Sequence, residues 1–166
     1  EIIEYESSLN KSNSKEHIKN WDEIKVIVNS LRIKEKKIIF TNGCFDIIHV
    51  GHIKYLEKAK ACGDVLILGL NSDYSVRKLK GKNRPINSQN DRAQILAALE
   101  VVDYVVIFED ETPYELIKLI KPDILVKGGV YKGKEVIGQN IATELKLIKY
   151  IDGKSSSETI KRNQKK

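Results

Sequence analysis

The feature that most constrains the fold of this chain is a regular alternation of short apolar runs with segments of helical pattern. Five such runs occur, at residues 38–40, 65–70, 104–108, 124–126 and 147–150. They are mainly apolar rather than alternating with polar residues, which is typical of strands buried on both faces of a parallel sheet. Strands that alternate with helices form right-handed β-α-β units. The sequence therefore predicts an α/β protein with a mainly parallel five-stranded sheet and helices on both faces.

Helix start signals locate the segments between these runs. Asn20, followed three residues later by Glu23, is a capping-box pattern that predicts a leading helix over residues 20–33. Further helices are predicted over residues 52–61, from Ser88 to residue 99, from Thr112 with Pro113 at the first position, over residues 140–145, and from Ser156. Residues 1–19 are polar, and we interpret them as a linker before a domain of residues 20–166.

Charge and cysteine content limit the possible functions. The net charge is +6, but the basic residues are dispersed and no run of stacking aromatics accompanies them, which disfavours nucleic acid as a partner. No apolar run approaches the roughly 18 residues that a membrane helix needs. Cys44 and Cys62 lack metal-ligand spacing and suggest a reducing, cytoplasmic setting. We therefore expect neither nucleic acid nor membrane as a partner. The start at Glu1 and the lack of methionine suit a piece of a longer protein.

The segment after the first apolar run carries the strongest chemical signal, because ligands of parallel α/β sheets bind beyond the carboxyl ends of strands. Residues 41–52 are TNGCFDIIHVGH. Gly43 and Gly51 allow the backbone to approach a ligand closely. His49 and His52 are three apart, so both can lie on one face at the start of a helix, where free N–H groups and the helix dipole favour phosphate. The segment predicts a phosphate site with two imidazole donors.

Other interpretations of this segment are weaker. One alternative is that both histidines are surface residues on a capping turn. Their position on either side of a glycine, directly after a buried strand, disfavours that interpretation. A zinc site would need a carboxylate or cysteine at ligand spacing, and a P-loop would end in Gly-Lys-Ser or Gly-Lys-Thr. Neither pattern is present. A second basic cluster follows the second run and is punctuated by Gly81 and Pro85; we interpret it as a mobile loop that grasps phosphate (Arg77, Lys78, Lys80, Lys82 and Arg84).

These stretches together resemble the nucleotidyltransferase superfamily with the His-x-Gly-His motif. Within it, the chain is similar to the adenylyltransferase domains of bacterial heptose phosphate enzymes over about three quarters of its length, from residue 37 to residue 161. The remaining stretches that carry the resemblance are Asn71-Ser72-Asp73, Leu79-Lys80-Gly81 with Arg84-Pro85, Arg92, residues 122–129 with Tyr131, and Asp152-Gly153 with Ser155 to Ser157. The resemblance implies a Rossmann-like fold and transfer of AMP from ATP to D-glycero-β-D-manno-heptose 1-phosphate, giving ADP-heptose for lipopolysaccharide.

Roles for individual residues follow from this resemblance and from their positions after strands. The expected catalytic residues are His49, His52 and Lys80. The expected nucleotide-binding residues are Thr41, Asn42, Gly43, Cys44, Phe45, Gly51, Lys127, Gly128, Ser155, Ser156 and Ser157. The expected substrate-binding residues are Asp46, Asn71, Asp73, Arg84, Arg92 and Tyr131. The family has Ser-Thr-Thr where this chain has three serines, which keeps the hydroxyls. For Asp46, Asn71, Asp73 and Arg92, a purely structural role stays open.

The resemblance also implies substrates and partners. ATP and heptose 1-phosphate are the expected small molecules, with Mg²⁺ carried by the triphosphate and no metal site of the protein's own. A sugar kinase is expected to be fused to the domain or to work with it, and the domain is expected to form a homo-oligomer, a dimer. Alternatives are a cytidylyltransferase or guanylyltransferase acting on another sugar or alcohol phosphate, and a non-catalytic nucleotide- or RNA-binding module, which the dispersed charge disfavours.

Overall fold

The computed structural model describes residues 13–129 and 135–149 of the 166-residue chain. Helices α1 to α5 span Trp21–Ile33, Val50–Lys60, Asp73–Lys80, Gln89–Ala97 and Tyr114–Ile120. Strands β1 to β5 span Ile38–Gly43, Val65–Asn71, Tyr104–Phe108, Ile124–Gly128 and Glu144–Ile148. Several predictions lie outside the described residues: the first twelve residues of the linker, Tyr131, the three serines Ser155, Ser156 and Ser157, and the final helix.

The five strands form one sheet in the order β3-β2-β1-β4-β5, and its four ladders are parallel. This confirms the predicted fold class. The chain moves outward from β1 to β3 and then returns, so that β4 lies on the other side of β1. Strand order therefore reverses between β1 and β4. The carboxyl ends of these two strands mark the place where an open α/β sheet binds its ligand.

Both faces of the sheet are covered by helices. Neighbouring strand residues point to opposite faces, so Ile39 joins a buried cluster with α2 and α4, whereas Phe40 joins a cluster with α1 and α5. Both side chains are fully buried. The two-sided burial is the physical reason why the strand segments are continuously apolar, since a strand residue on either face meets a helix rather than water.

Two of the predicted helix starts, at Asn20 and Ser88, are confirmed. The N–H of Glu23 donates to Oδ1 of Asn20 at 2.9 Å, and the N–H of Asn20 donates to Oε2 of Glu23 at 2.8 Å, which is the predicted capping box at the start of α1. Ser88 caps α4 by accepting a hydrogen bond from the N–H of Asp91 at 3.2 Å. These side chains satisfy N–H groups that the first helical turn leaves without a partner.

The basic cluster after β2 differs from its prediction as a loop, because its first half is helical. Ser72 accepts a hydrogen bond from the N–H of Ser75 and begins α3, which carries Lys80 in its last turn. Gly81, with a φ of 96°, ends the helix. Only Ser75 and Val76 are buried along α3, so the helix has no apolar stripe that its sequence could reveal. Lys80 is therefore held by a helix, and the loop begins after it.

Two further predictions are wrong. Residues 140–145 do not form a helix; β5 occupies Glu144–Ile148, beginning earlier than the predicted strand at residues 147–150. The first four of these residues alternate between charged and apolar side chains, which is the period of a strand at a half-exposed sheet edge. The predicted cap at Thr112 also differs: Pro113 is the N-cap of α5, and no side-chain cap hydrogen bond is present there.

The last residues of the predicted linker lie on the edge of the sheet. A 3₁₀ turn, Ser14–His17, leads into a parallel bridge between Ile18 and Val105. Three N–H groups then donate to backbone carbonyls at 2.9 to 3.1 Å. His17 Nδ1 donates to residue 103, the Lys19 backbone to residue 105, and Trp21 Nε1 to residue 107. This segment satisfies the outer edge of β3. The boundary of the domain itself stays a prediction.

Candidate active site

The His-x-Gly-His turn begins α2 at the carboxyl end of β1. His49 is the N-cap residue, and its Nδ1 accepts a hydrogen bond from the N–H of Gly51 at 3.1 Å. Nδ1 of His52 accepts one from the N–H of His49 at 3.3 Å. The two rings stack with their centroids 3.9 Å apart. The pair therefore caps the helix with imidazoles instead of the usual hydroxyl or carboxylate.

This capping determines which ring nitrogen carries the proton. A ring nitrogen that accepts a hydrogen bond is unprotonated, so in the neutral ring the proton lies on the other nitrogen. Both His49 and His52 therefore present Nε2–H as a donor. Burial, the neighbouring His49 and Lys80 lower the pKa of His52 to about 4. His52 is thus a neutral hydrogen-bond donor near pH 7.

A polar cleft of about 240 Å³ lies at the point where strand order reverses. Most of its lining residues were predicted from the sequence as site residues: Asn42, Gly43, Cys44, Phe45, Asp46, His52, Lys80, Lys127 and Gly128. They come from β1, the turn after it, α2, the end of α3 and β4. Residues distant in sequence thus meet at one place, as the strand-end argument predicts.

Lys127 brings a cation into this cleft from the end of β4. The residue is 9% exposed, and its Nζ donates to Oδ1 of Asn42 on β1. Burial lowers the pKa of Lys127 to about 8, because a low-dielectric surrounding disfavours the charged form. Lys80, at the end of α3, also lines the cleft and is exposed. The cleft therefore offers two ammonium groups to an anionic ligand.

Close packing shapes the floor of the cleft. Phe45 has a φ of 43° and is 7% exposed, and its ring centroid lies 5.3 Å from that of His52. A Cβ on Gly43 would stand 2.8 Å from the Phe45 ring, so glycine is required there for steric reasons. Burial raises the pKa of the Cys44 thiol, which outweighs the opposing effect of nearby Lys80 and arginine cations. This thiol is therefore a poor nucleophile.

Asp46 has partners within the protein that hold the loop of residues 84–87. Its carboxylate is 2.5 Å from Nε of Arg84 and accepts hydrogen bonds from the N–H groups of Ile86 and Asn87 at 2.8 to 3.0 Å. Burial alone would raise the pKa of Asp46, but these bonds outweigh it and lower the pKa. Nη2 of Arg84 is buried and has no hydrogen-bond partner among the described residues. The loop-holding role, left open for Asp46, is the one that these contacts show.

Arg92, predicted as a substrate contact, has partners within the protein. Its side chain is fully buried. Nη1 donates to the carbonyls of Cys44 and Asn71 at 2.7 and 2.8 Å, and Nε donates to that of Asn87 at 3.0 Å. Nη2 pairs with Asp73 at 2.8 Å. Arg92 therefore ties the His-x-Gly-His segment, the end of β2 and the loop together.

Three other predicted residues also have internal partners. Asn71 is buried and donates through Nδ2 to Oγ of Ser75 at 2.9 Å. Asp73 pairs with Arg92 as described. Thr41, predicted to bind nucleotide, is fully buried, and its hydroxyl lies 2.6 Å from that of Tyr55. None of these three lines the cleft. Their side chains support the site from within.

Tyr55 is the cleft residue that sequence reasoning missed. It lies one helical turn after His52 on α2, on the face shared by residues three apart, and that spacing was the available signal. Its hydroxyl donates to the carbonyl of Val126 on β4 at 3.2 Å. A tyrosine on the buried face of a helix is ordinarily a core residue, so the pattern alone does not distinguish it.

Metal-ligating and membrane-spanning features are both missing from residues 13–129 and 135–149. Within these residues, no group of three or more His, Cys, Asp or Glu side chains is placed to hold a metal ion. Over the same part of the chain, no helix has the length and apolar character to cross a membrane.

The order of the sheet and a histidine-bearing helix start at its switch point define a Rossmann-like nucleotide-binding domain. The chain belongs to the cytidylyltransferase-like family, whose model matches residues 40–162. This membership makes it a nucleotidyltransferase.

Two curated relatives are each named Bifunctional protein HldE. The one from Aliarcobacter butzleri is 70% identical over 164 residues, covering 99% of this chain and 34% of that protein. The one from Sulfurimonas denitrificans is 63% identical over 162 residues, covering 98% and 34%. This chain therefore spans about a third of the length of the curated relatives it matches.

Two solved structures share the fold. The lipopolysaccharide core biosynthesis protein from Thermoplasma volcanium is 29% identical, with a TM-score of 0.58 over 70% of this chain and 97% of that one. Pantoate-beta-alanine ligase from Francisella tularensis, complexed with beta-gamma ATP and beta-alanine, is 20% identical with a TM-score of 0.55, over 89% of this chain and 76% of that one. At that identity, the ligase supports the fold alone.

Proposed function

We propose that this chain is an adenylyltransferase that transfers AMP from ATP to D-glycero-β-D-manno-heptose 1-phosphate, giving ADP-heptose and pyrophosphate. The observation that carries the proposal is a cleft at the switch point that combines the neutral imidazole of His52 with two lysines, Lys80 and Lys127. The sugar follows from the resemblance to heptose phosphate enzymes over most of the chain. The solved relative named for lipopolysaccharide core biosynthesis agrees with that sugar.

The chemistry proposed is a direct displacement. An oxygen of the sugar phosphate attacks the α-phosphorus of ATP, a new P–O bond forms, and the bond from the α-phosphorus to the bridging oxygen of pyrophosphate breaks. No protein nucleophile is needed, which agrees with a Cys44 thiol whose pKa is raised by burial. Mg²⁺ enters with ATP as part of the substrate. Catalysis then consists of positioning and stabilisation of developing charge.

The roles of the cleft residues follow from their donors. Nε2–H of His49 and His52 would donate to phosphate oxygens as negative charge grows on them. Lys80 and Lys127 would neutralise the triphosphate. Gly43 and Gly128 would let the backbone approach the nucleotide, together with Asn42, Cys44 and Phe45. Tyr131, Gly51 and the three serines stay predictions as ligand contacts, as does Arg84, whose unpartnered Nη2 suits an anion.

The likeness to bifunctional proteins supports a proposal about the wider protein. Because the curated relatives are bifunctional and this chain spans about a third of their length, we infer that the domain works beside a second activity in one polypeptide. A sugar kinase that supplies the heptose 1-phosphate is the partner we propose, in the cytoplasm, where ATP is available. Dimer formation stays a prediction.

A pyrophosphate-release assay with each nucleoside triphosphate tests the proposal. With heptose 1-phosphate as acceptor, we expect turnover with ATP and little with CTP, GTP or UTP. Turnover with CTP or GTP but not with ATP would contradict the adenylyl assignment and favour the other members of the family. Turnover with ATP and glycerol 3-phosphate, but not with the heptose, would contradict the sugar assignment while leaving the nucleotide in place.

A further inference from the structure

The two central strands separate before they end. β1 pairs with β2 along its whole length, from Ile38 to Gly43, and β4 pairs with β5 from Ile124 to Gly128. Between β1 and β4, however, the described ladder consists of the pairs at residues 39 and 124 and at residues 40 and 125. Residues 41–43 and 126–128 therefore face each other across a gap, which we call the fork. The cleft opens from this fork.

Side chains bridge the fork at two successive levels. At the first level past the last paired residues, Tyr55 donates to the carbonyl of Val126 at 3.2 Å, so the Thr41 hydroxyl donates to the Tyr55 oxygen at 2.6 Å. This chain of hydrogen bonds links β1 to β4 through α2. At the second level, Lys127 donates to Asn42. The first bridge is buried, since Thr41 is 0% exposed and Tyr55 8%.

The position of Tyr55 joins the fork to the catalytic helix start. It lies on α2 one turn after His52, so the helix fixes the distance between the two residues. Its hydroxyl is fixed to β4 one residue before Lys127. An isolated displacement of β4 or of α2 would break a buried hydrogen bond and leave a polar group without a partner, which is costly.

We propose that Tyr55 is a positioning residue, which holds the fork at a fixed width and thereby sets the separation between His52 and Lys127. The inference rests on the proposed function for its catalytic consequence, but its structural consequence is independent of turnover. Errors of about 1 Å in the placement of reacting groups lower rates by about 100-fold. A partial relaxation of the fork should therefore lower kcat while leaving the affinity for ATP nearly unchanged, since the ammonium groups of Lys80 and Lys127 both remain in the cleft.

The same geometry gives Thr41 a testable role. If the Thr41 hydroxyl contacted nucleotide, Thr41→Val would raise the KM for ATP and Tyr55→Phe would not. If Thr41 and Tyr55 form one bridge, both substitutions should lower kcat, and the double variant should be no worse than the poorer single variant, because the bridge is already broken. Valine has the shape of threonine, and phenylalanine that of tyrosine, so each change removes little except a hydroxyl.

The experiment compares the full 166-residue chain with Tyr55→Phe, Thr41→Val, the double variant and Val28→Ala, a cavity control on α1 at the opposite face of the sheet. Adenylyl transfer is measured for kcat and KM, and amide hydrogen exchange is followed at residues 41–43 and 126–128. We expect both bridge variants to lose roughly tenfold in kcat and to exchange roughly fivefold faster at the fork, the factor for one ordinary hydrogen bond. Val28→Ala should lose stability without either change.

Each outcome bears on a separate claim. Unchanged exchange at the fork in Tyr55→Phe would overturn the inference, as would a loss of kcat in Val28→Ala equal to that in Tyr55→Phe. Additive losses in the double variant would also overturn it. Absence of turnover in the unaltered chain would refute the proposed function, while the exchange data would still decide whether the bridge holds the fork.

Discussion

Lys127 should impose an alkaline limit on the use of ATP. Its ammonium lies in the cleft, and burial lowers its pKa to about 8. The charged form is the one that binds a triphosphate, so affinity should be complete below this pKa and should be lost as the pH rises through it. In the complex, the phosphate favours the charged form and moves the pKa upward. The alkaline fall should therefore appear at higher pH in kcat than in kcat/KM for ATP, which reports the enzyme before ATP binds.

The magnitude follows from a pKa of about 8. About nine tenths of the Lys127 side chains carry a charge at pH 7, and about one tenth at pH 9. If the neutral amine contributes nothing, kcat/KM for ATP should fall about tenfold between these two values. An exposed lysine has a pKa of about 10.4 and would leave kcat/KM for ATP almost constant over the same pH range. The structure thus predicts that kcat/KM for ATP falls roughly two pH units below the pH at which an ordinary lysine would make it fall.

The assay is pyrophosphate release under subsaturating ATP from about pH 6 to about pH 10, with heptose 1-phosphate saturating. Lys127→Arg serves as the diagnostic variant, because arginine stays charged throughout this range. The alkaline fall in kcat/KM should be absent from Lys127→Arg, whatever the absolute rate of this variant. Lys118→Arg, at an exposed position on α5, is the matched control and should keep the wild-type profile. An alkaline fall near pH 8 that persists in Lys127→Arg would refute the assignment to Lys127.

Three further predictions concern His52 and the buried Arg92. His52→Ala should reduce turnover by at least about 100-fold, as for removal of one donor to the transition state, and near-normal rates in the pyrophosphate assay would contradict that role. Because the pKa of His52 is about 4 in the folded chain and 6.5 ordinarily, the unfolded state binds more protons between these values. Stability should therefore fall as the pH drops from 6.5 to about 4, and denaturant titrations of His52→Asn should show a weaker fall. Arg92→Met should lower the free energy of unfolding by about 3 kcal/mol, since it leaves buried carbonyls without a hydrogen-bond donor. Asp73→Asn, whose side chain is 29% exposed, should cost about 1 kcal/mol, and equal losses in the two variants would contradict the account of Arg92.

The sequence predicts those parts of the fold in which local pattern and burial agree. Strands β1 to β4 are recognisable because both of their faces meet helices, and α1 and α4 because their caps are encoded within three residues. Helix α3 was missed because it buries only Ser75 and Val76 and has no apolar stripe. Strand β5 was misplaced because an edge strand alternates charged and apolar residues, unlike the central strands.

The candidate site shows the same limit at the level of single side chains. His52, Lys80 and Lys127 follow strands or helix starts, so their position along the chain predicts that they reach the cleft. The role of Arg92 depends on three carbonyls and a carboxylate at residues 44, 71, 87 and 73. No spacing rule in a single sequence reveals such long-range partners. No spacing rule reveals the role of Tyr55 either, because its hydroxyl acts between β1 and β4 where these two strands separate.

The segment that lies along β3 has a consequence for how the domain can be isolated. Edge strands present unpaired backbone groups that recruit other chains, and proteins protect such edges by covering them. Here the cover comes from His17, Lys19 and Trp21, which occupy alternate carbonyls. A fragment cut at residue 20 would uncover part of this edge and should self-associate more readily. A tension applied at residue 13 would therefore reach the sheet through the hydrogen bonds of His17, Lys19 and Trp21.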